Sequence, residues 1–500
     1  MGVVQRQGFK QTLITYLGIA LGGLAAIFLF PRHLVAYGTL EWLLNTALVL
    51  VPFVLLGTTG VATRFFPEFK NESGTNRGFL GLLLLTVTTS ILLFAGLVTL
   101  FYDPFTNLIV EVVSRNSQRV DERFLPLLVL FVAAYCFQQL LVQYASNGLR
   151  IVVPRFFDYL LPKLGKPLLF LAFLLGTLSL GGLIWGMLAL ILLAVLGLAV
   201  YLHRIGLWHL RIDWAHLTPD RRRRLATFAG YGTLGGTGHI IANRIDIVMV
   251  GALTGDMKIA GVYTIVTYLS EFIDAPRKAL FGITAPLVAA AWQRNDRAEV
   301  ADLYWKSSLN LLIIGLGLLA GVWLSIDALF RIMPDTQSME AGRWVVLMLG
   351  VAKVVDMATG INSFVIGYSK WFRFNFLAVL VLAGLNVVNN LVFIPRFGIN
   401  GAALATLSSV VLYNLIKFAF AWRKLKMQPF GWGTVRVLLV GGGLYALFAQ
   451  IPLTGNVFWD IPARSGGFAL AFAAAVYYGR LSEDLRGWVD GLVKKLGGVQ

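Results

Sequence analysis

The sequence predicts an all-α polytopic membrane protein of about 14 transmembrane helices, built as two six-helix lobes plus two C-terminal helices. Three observations predict it. Of 500 residues, 57% are hydrophobic and only 13% charged, with a mean hydropathy of +0.75; a soluble domain carries about 25% charged residues. Apolar stretches of about 20 residues, the length that crosses some 30 Å of hydrocarbon, recur along the whole chain. Lys and Arg are dense in every second connection between those stretches and sparse in the others, as the positive-inside rule requires.

The spans fall near 11–30, 42–63, 79–101, 124–145, 156–178, 182–202, 226–252, 259–289, 306–326, 342–367, 374–394, 401–421, 433–450 and 466–479. The first follows the basic segment MGVVQRQGFK with no small-residue cleavage site, so it reads as an uncleaved signal anchor. The fifth opens on PRFFDYLLPKLGKP, whose prolines suit a surface helix that then inserts. After the last span, Leu485, Trp488, Val489, Leu492 and Leu496 share one helical face while Lys494 and Lys495 lie elsewhere, the pattern of an interfacial amphipathic helix. The resulting plan is an N-terminal lobe (1–203), a cytoplasmic basic linker (204–225), a C-terminal lobe (226–425), two additional helices (426–480) and a cytoplasmic amphipathic tail (481–500).

Orientation follows from the basic residues. With the N-terminus inside, 28 of the 42 Lys and Arg fall in cytoplasmic segments, 9 in outer connections and 5 within spans. An even helix number therefore leaves both termini cytoplasmic. The net charge of +17 is spent on this topology, and nucleic acid is not expected as a partner. The densest cluster, Arg204 to Arg224, is expected to hold the two lobes in register or to dock anionic headgroups or a partner enzyme. The single cysteine, Cys136, lies in an apolar stretch, so neither an intrachain disulfide nor a multi-cysteine metal site is expected.

Two short internal matches suggest a repeat. Gly182-Leu-Ile-Trp-Gly186 and Gly398-Ile-Asn-Gly401-Ala-Ala lie 216 positions apart, and Pro67 and Pro286 lie 219 apart. Parallel repeats of this kind place a substrate path between the halves.

No hydrolase, kinase or metal motif stands out, and four of the five histidines (33, 203, 209, 216) lie at connections; the fifth is His239. No cofactor and no enzymatic activity are expected. The longest outer connection, Tyr102 to Arg123, holds Asp103, Glu111, Asp121 and Glu122, which read as a solvated loop. The chemistry lies in charges inside spans, each costing about 2.5–3.5 kcal/mol at a helix centre unless it faces a cavity or a partner. In helix seven, His239, Asn243 and Asp246 share a face from which Arg244 points away. In helix eight, Glu271, Asp274 and Lys278 share a face next to Arg277, with Asp274 and Lys278 at ideal pair spacing. Helix ten carries Lys353 and Asp356. Two readings fit these groups: internal acid–base pairing that stitches the bundle, or a hydrated cavity whose cations hold an anion and whose carboxylates bind a coupling ion. Arg64, at the inner end of helix two, reads equally as a topogenic residue or a gate.

Three segments then give the chain a resemblance: Ile245-Asp246-Ile-Val-Met-Val-Gly251-Ala-Leu-Thr-Gly255 with Ala260-Gly261-Val-Tyr263, Ile394-Pro395-Arg-Phe-Gly398-Ile-Asn-Gly401-Ala402-Ala403, and Gly60-Val-Ala-Thr-Arg64-Phe-Phe-Pro67. With the six-plus-six-plus-two plan, it resembles the polysaccharide-transporter branch of the multidrug/oligosaccharidyl-lipid/polysaccharide (MOP) exporter superfamily. The resemblance implies a bacterial inner-membrane flippase that carries an undecaprenyl-diphosphate-linked oligosaccharide outward for surface or secreted polysaccharide, lipopolysaccharide included. The implied partners are that lipid-linked substrate, membrane lipids, and a glycan polymerase or glycosyltransferases of the same pathway. In that frame Arg64, Arg244 and Lys353, then Arg277 and Lys278, are the expected diphosphate ligands. Asp246, Glu271, Asp274, Asp356 and Asn243 are the expected coupling sites for Na⁺ or H⁺. Helix one has Gly22-Gly23 but no charge between Gln11 and Phe30, a departure from the lipid II branch. The competing functions are a cation-coupled multidrug exporter of the same superfamily, whose cavity would be acidic, and a membrane glycosyltransferase.

Overall fold

Inside a bilayer every backbone donor needs an internal partner, so an apolar chain of this kind folds into helices. The computed structural model describes residues 17–71, 75–101, 125–148 and 152–496, and among them there is no strand. Fifteen helices organise the described chain: α1 (Leu17–Phe28), α2 (Leu34–Leu55), α3 (Thr58–Phe69), α4 (Phe79–Leu100), α5 (Leu125–Ser146), α6 (Leu161–Leu174), α7 (Leu180–Arg204), α8 (Pro219–Thr254), α9 (Met257–Gln293), α10 (Arg297–Leu324), α11 (Arg343–Ala358), α12 (Phe372–Phe420), α13 (Trp432–Ala449), α14 (Gly467–Tyr478) and α15 (Glu483–Leu496). Among the described residues, seven helical runs are long and apolar enough to cross a membrane by length and composition alone. The chain is a multi-pass membrane protein.

Most expected spans are present, and three differ in instructive ways. The second is not one rod over 42–63. It begins at Leu34, ends at Leu55, and restarts as the short α3 after Leu56 and Gly57, both left-handed at φ 49° and 67°. A Cβ on Gly57 would lie 2.3 Å from the Ala229 carbonyl oxygen, so the break lets α8 approach closely. The fifth opens with the turn Val152–Arg155 and a π-helical turn over Phe156–Leu160 before α6. The eleventh and twelfth run on as the two arms of α12, joined at a kink where Gly398 adopts φ 57° and ψ −134°, a conformation only glycine accepts readily. The amphipathic tail forms α15, although the Leu492 and Leu496 side chains, the Tyr102–Arg123 loop and the N-terminal anchor up to residue 16 lie outside the described residues.

The helices pack as two compact units, residues 1–265 and 266–500. The boundary falls within α9, so α8, expected to open the second lobe, packs within the first unit against α2 and α3. Small residues make that packing close, as they do wherever membrane helices associate without a hydrophobic driving force. A Cβ on Gly38 of α2 would meet the Met257 carbonyl oxygen at 1.8 Å, and Trp42 lies against Gly251 while its indole donates to the Val248 carbonyl (3.1 Å). In the second unit α13 and α14, the two additional helices, bury Val437, Phe468 and Phe472 against Leu309, Leu312, Ile313 and Leu319 of α10.

Candidate functional site

Charges that the lipid would penalise are handled differently in the two units. In the first unit, α2 carries Glu41 and Asn45 one turn apart. The Asn45 amide donates to the Glu41 carbonyl oxygen (2.7 Å) and to its carboxylate (3.3 Å). Lys166 of α6 ion-pairs with Glu41, and its ammonium lies 5.8 Å from the ring centres of Phe30 and Tyr37. The oxygen of the Asn45 side chain accepts from Arg244 of α8 at 2.8 Å. The result is a polar chain, Lys166–Glu41–Asn45–Arg244, with one cation more than it has anions. Asn243 and Arg244 are exposed on the unit, and among the described residues Arg244 has no ion pair. Asp246, on the other side of α8, is buried, and Tyr263 of α9 donates to it at 3.3 Å. Arg64, in α3, is exposed and stacks over Phe228 of α8 (5.2 Å to the ring centre). It too has no carboxylate partner among the described residues.

In the second unit, six charges of α9 and α11 close on themselves. On α9, Lys278 bridges Glu271 (2.7 Å) and Asp274 (3.3 Å), the pair that the i,i+4 spacing anticipates. Arg277 clasps Asp274 through two nitrogens (2.5 and 3.0 Å) and reaches Asp356 of α11 at 3.1 Å. Lys353, one turn before Asp356, binds the other oxygen of Glu271 at 2.9 Å. Three acids and three bases from two helices thus form one neutral network. It extends into α12, where Asn414 donates to Asp356 (3.1 Å) and accepts from Thr359 (2.7 Å) and Asn362 (3.0 Å). Pro276, which has no N–H to give, frees the Phe272 carbonyl at this charged turn, while α9 runs on through it to Gln293.

Six expected site residues are therefore brought together: Glu271, Asp274, Arg277, Lys278, Lys353 and Asp356. Asn243, Arg244 and Asp246 stand on α8 and Arg64 on α3, in the other unit. Three further residues belong with them: Glu41 and Lys166, which the sequence did not single out, and Lys417, which it marks only as one of the five basic residues within spans. Glu41 and Lys166 pair across 125 positions, a separation that leaves no spacing signal. Lys417 of α12 is fully buried, donating to Ser363 (2.5 Å) and Tyr413 (2.9 Å). Its position inside an apolar span was the one available signal.

The architecture has known counterparts. The lipid II flippase MurJ in an inward closed conformation superposes with a TM-score of 0.72, over 94% of this chain and 99% of that one, at 13% identity. The chain has the fold of MOP-superfamily transporters. An inward-facing multidrug resistance MATE-family transporter of the MOP superfamily matches with a TM-score of 0.62, also at 13% identity, over 83% of this chain and 94% of that one. Among curated proteins, the "probable flippase AglR" of Haloferax volcanii is 22% identical over 218 residues. The chain spans less than half of that relative's length, 44%. No family model matches the chain. Solved structures with this fold thus include both a flippase and a multidrug transporter.

Proposed function

We propose that the chain is a flippase for an undecaprenyl-diphosphate-linked oligosaccharide, working by alternating access in the inner membrane and serving polysaccharide biosynthesis. The observation that carries this reading is Arg244, an exposed guanidinium ten residues inside a 36-residue helix, held by a neutral amide. Such a group cannot face lipid without cost, so it calls for water and an anion. A diphosphate supplies that anion, and Arg is suited to bind it through paired N–H donors. Arg64 adds a second cation on a neighbouring helix, while Lys353, Arg277 and Lys278 stand in reserve, each already holding a carboxylate. The Na⁺ or H⁺ that biases the cycle would act through Asp246 with Asn243, or through the Glu271–Asp274–Asp356 network.

Export of organic cations is the competing reading, favoured by the drug-transporter relative and by buried Asp246. The two separate in one experiment: leaflet-resolved accumulation of lipid-linked oligosaccharide, alongside dye efflux, in cells with and without the chain. Glycan-lipid trapped on the cytoplasmic face without the chain, with efflux unchanged, supports the flippase. Normal glycan delivery with lost efflux sinks it.

A further inference from the structure

The connection between α7 and α8, residues 205–218, runs as a strap against the first turn of α4, where that helix enters its span. The Asp213 amide donates to the Arg77 carbonyl (3.1 Å). A Cβ on Gly78, whose φ is +67°, would come within 1.9 Å of the Arg211 carbonyl oxygen, and one on Gly81 within 2.1 Å of that of Leu210. His216 packs edge-on against Phe69, bonds Arg77, and donates from Nε2 to the Glu68 carbonyl (3.3 Å). Arg224 and Arg221 both reach the Glu68 carboxylate, at 2.5 and 3.9 Å. Pinned to the end of a helix long and apolar enough to cross a membrane, the strap falls where a bilayer would place its headgroups.

From that depth it offers what an anionic lipid surface needs. Leu210 and Trp214 are about half exposed, at 49% and 57%. Arg204, Arg211, Arg222 and Arg223 are exposed around them. Of the nearby acids, Glu68 is held by two arginines and Asp213 accepts from the His216 amide (3.2 Å), while exposed Asp220 offsets one of those four exposed arginines and leaves the cluster positive. Arg222 spends only its Nε on the Leu217 carbonyl (2.9 Å). We propose that this strap is a binding site for an anionic glycerophospholipid headgroup. Arg211, Arg222 and Arg223 supply the charge, and Trp214 with Leu210 enters the boundary between headgroups and acyl chains. The proposal does not depend on what the protein transports.

The test uses the purified full-length chain in a neutral detergent, titrated with brominated phosphatidylglycerol or brominated phosphatidylcholine. The signal is the quenching lost on Trp214→Phe. Phosphatidylglycerol should quench Trp214 at roughly a hundredfold lower concentration than phosphatidylcholine, since each of the three arginines near an anionic surface contributes about fivefold. Arg211→Gln/Arg222→Gln/Arg223→Gln should erase most of that preference. So should raising salt to about 0.5 M with the unaltered chain, a readout that survives if the triple variant fails to fold. Equal quenching by the two lipids, or a preference unchanged by both charge removal and salt, overturns the proposal. Displacement of phosphatidylglycerol by equimolar inorganic diphosphate overturns it in favour of a substrate diphosphate site. Absence of quenching by either lipid overturns it in favour of an acidic protein partner.

Discussion

The two units compensate their in-span charges in different ways. The second unit sets Lys278, Arg277 and Lys353 against Asp274, Glu271 and Asp356 in a neutral network stitched across α9 and α11, and seals one further cation, Lys417, in its core on the Ser363 and Tyr413 hydroxyls. The first unit pairs Lys166 with Glu41 and then passes one surplus cation through Asn45 to Arg244. A neutral network is a structural element whose loss is felt as instability. A surplus cation that is exposed on a neutral amide, as Arg244 is and the buried Lys417 is not, adds little to stability and stands ready for a ligand. The difference teaches that intramembrane charge alone does not mark a binding site; its compensation has to be counted.

The largest effect that would sharpen this contrast is on stability. Asp274→Ala strips the buried carboxylate (1% exposed) from Arg277 and Lys278. It should destabilise the protein by about 1.5–3 kcal/mol, the loss of a charge-assisted clasp, since Arg277 keeps Asp356 and Lys278 keeps Glu271, read as a lowered thermal unfolding midpoint in detergent. An unchanged midpoint would break the view that the network is structural. Arg244→Gln should sit at the other pole. It should shift stability by no more than about 0.5 kcal/mol, yet weaken binding of a short-chain prenyl diphosphate by roughly 10- to 100-fold, as expected for a lost charge-assisted contact. Intermediate in size, the exchange Glu271→Lys/Lys353→Glu should recover at least half the stability lost in either single change, because it keeps the pair and only reverses it. No recovery would mean that Lys278 dominates at Glu271.

The smallest expected effect lies outside the membrane. Burial at the strap, with the Arg221 and Arg77 guanidiniums beside it, holds His216 below the ordinary histidine range. A depressed pKa means that the closed strap prefers neutral His216. Closure is therefore complete above about pH 6.5 and weakens as pH falls below that value. Hydrogen exchange over residues 207–217, corrected for the intrinsic rate, should be faster at pH 5.5 than at pH 7.5 in the native chain. It should be flat between them in His216→Gln.

Much of this was legible in the sequence, because span length and hydropathy are direct consequences of the bilayer. The in-span charges of α8, α9 and α11 stood out against apolar neighbours, and the i,i+4 spacing of Asp274 and Lys278 anticipated their pair. Partnerships across helices were hidden. Glu41 sits at the edge of its expected span and Lys166 in a segment read as partly surface, so neither looked buried. Asn45 gave no charge signal at all. The break at Leu56–Gly57 was hidden for a related reason: it is fixed by the approach of Ala229 from a helix some 170 residues later. Kinks and caps that depend on a distant backbone leave only a glycine behind them.

The most direct test of the central claim compares two variants in cells by leaflet-resolved accumulation of lipid-linked oligosaccharide: Arg244→Gln, and the charge-neutral pair removal Glu271→Gln/Lys353→Gln, at matched membrane abundance. Arg244→Gln should trap the glycan-lipid on the cytoplasmic face while the pair removal still delivers it outward. Normal delivery by Arg244→Gln, with trapping by the pair removal, would contradict the claim.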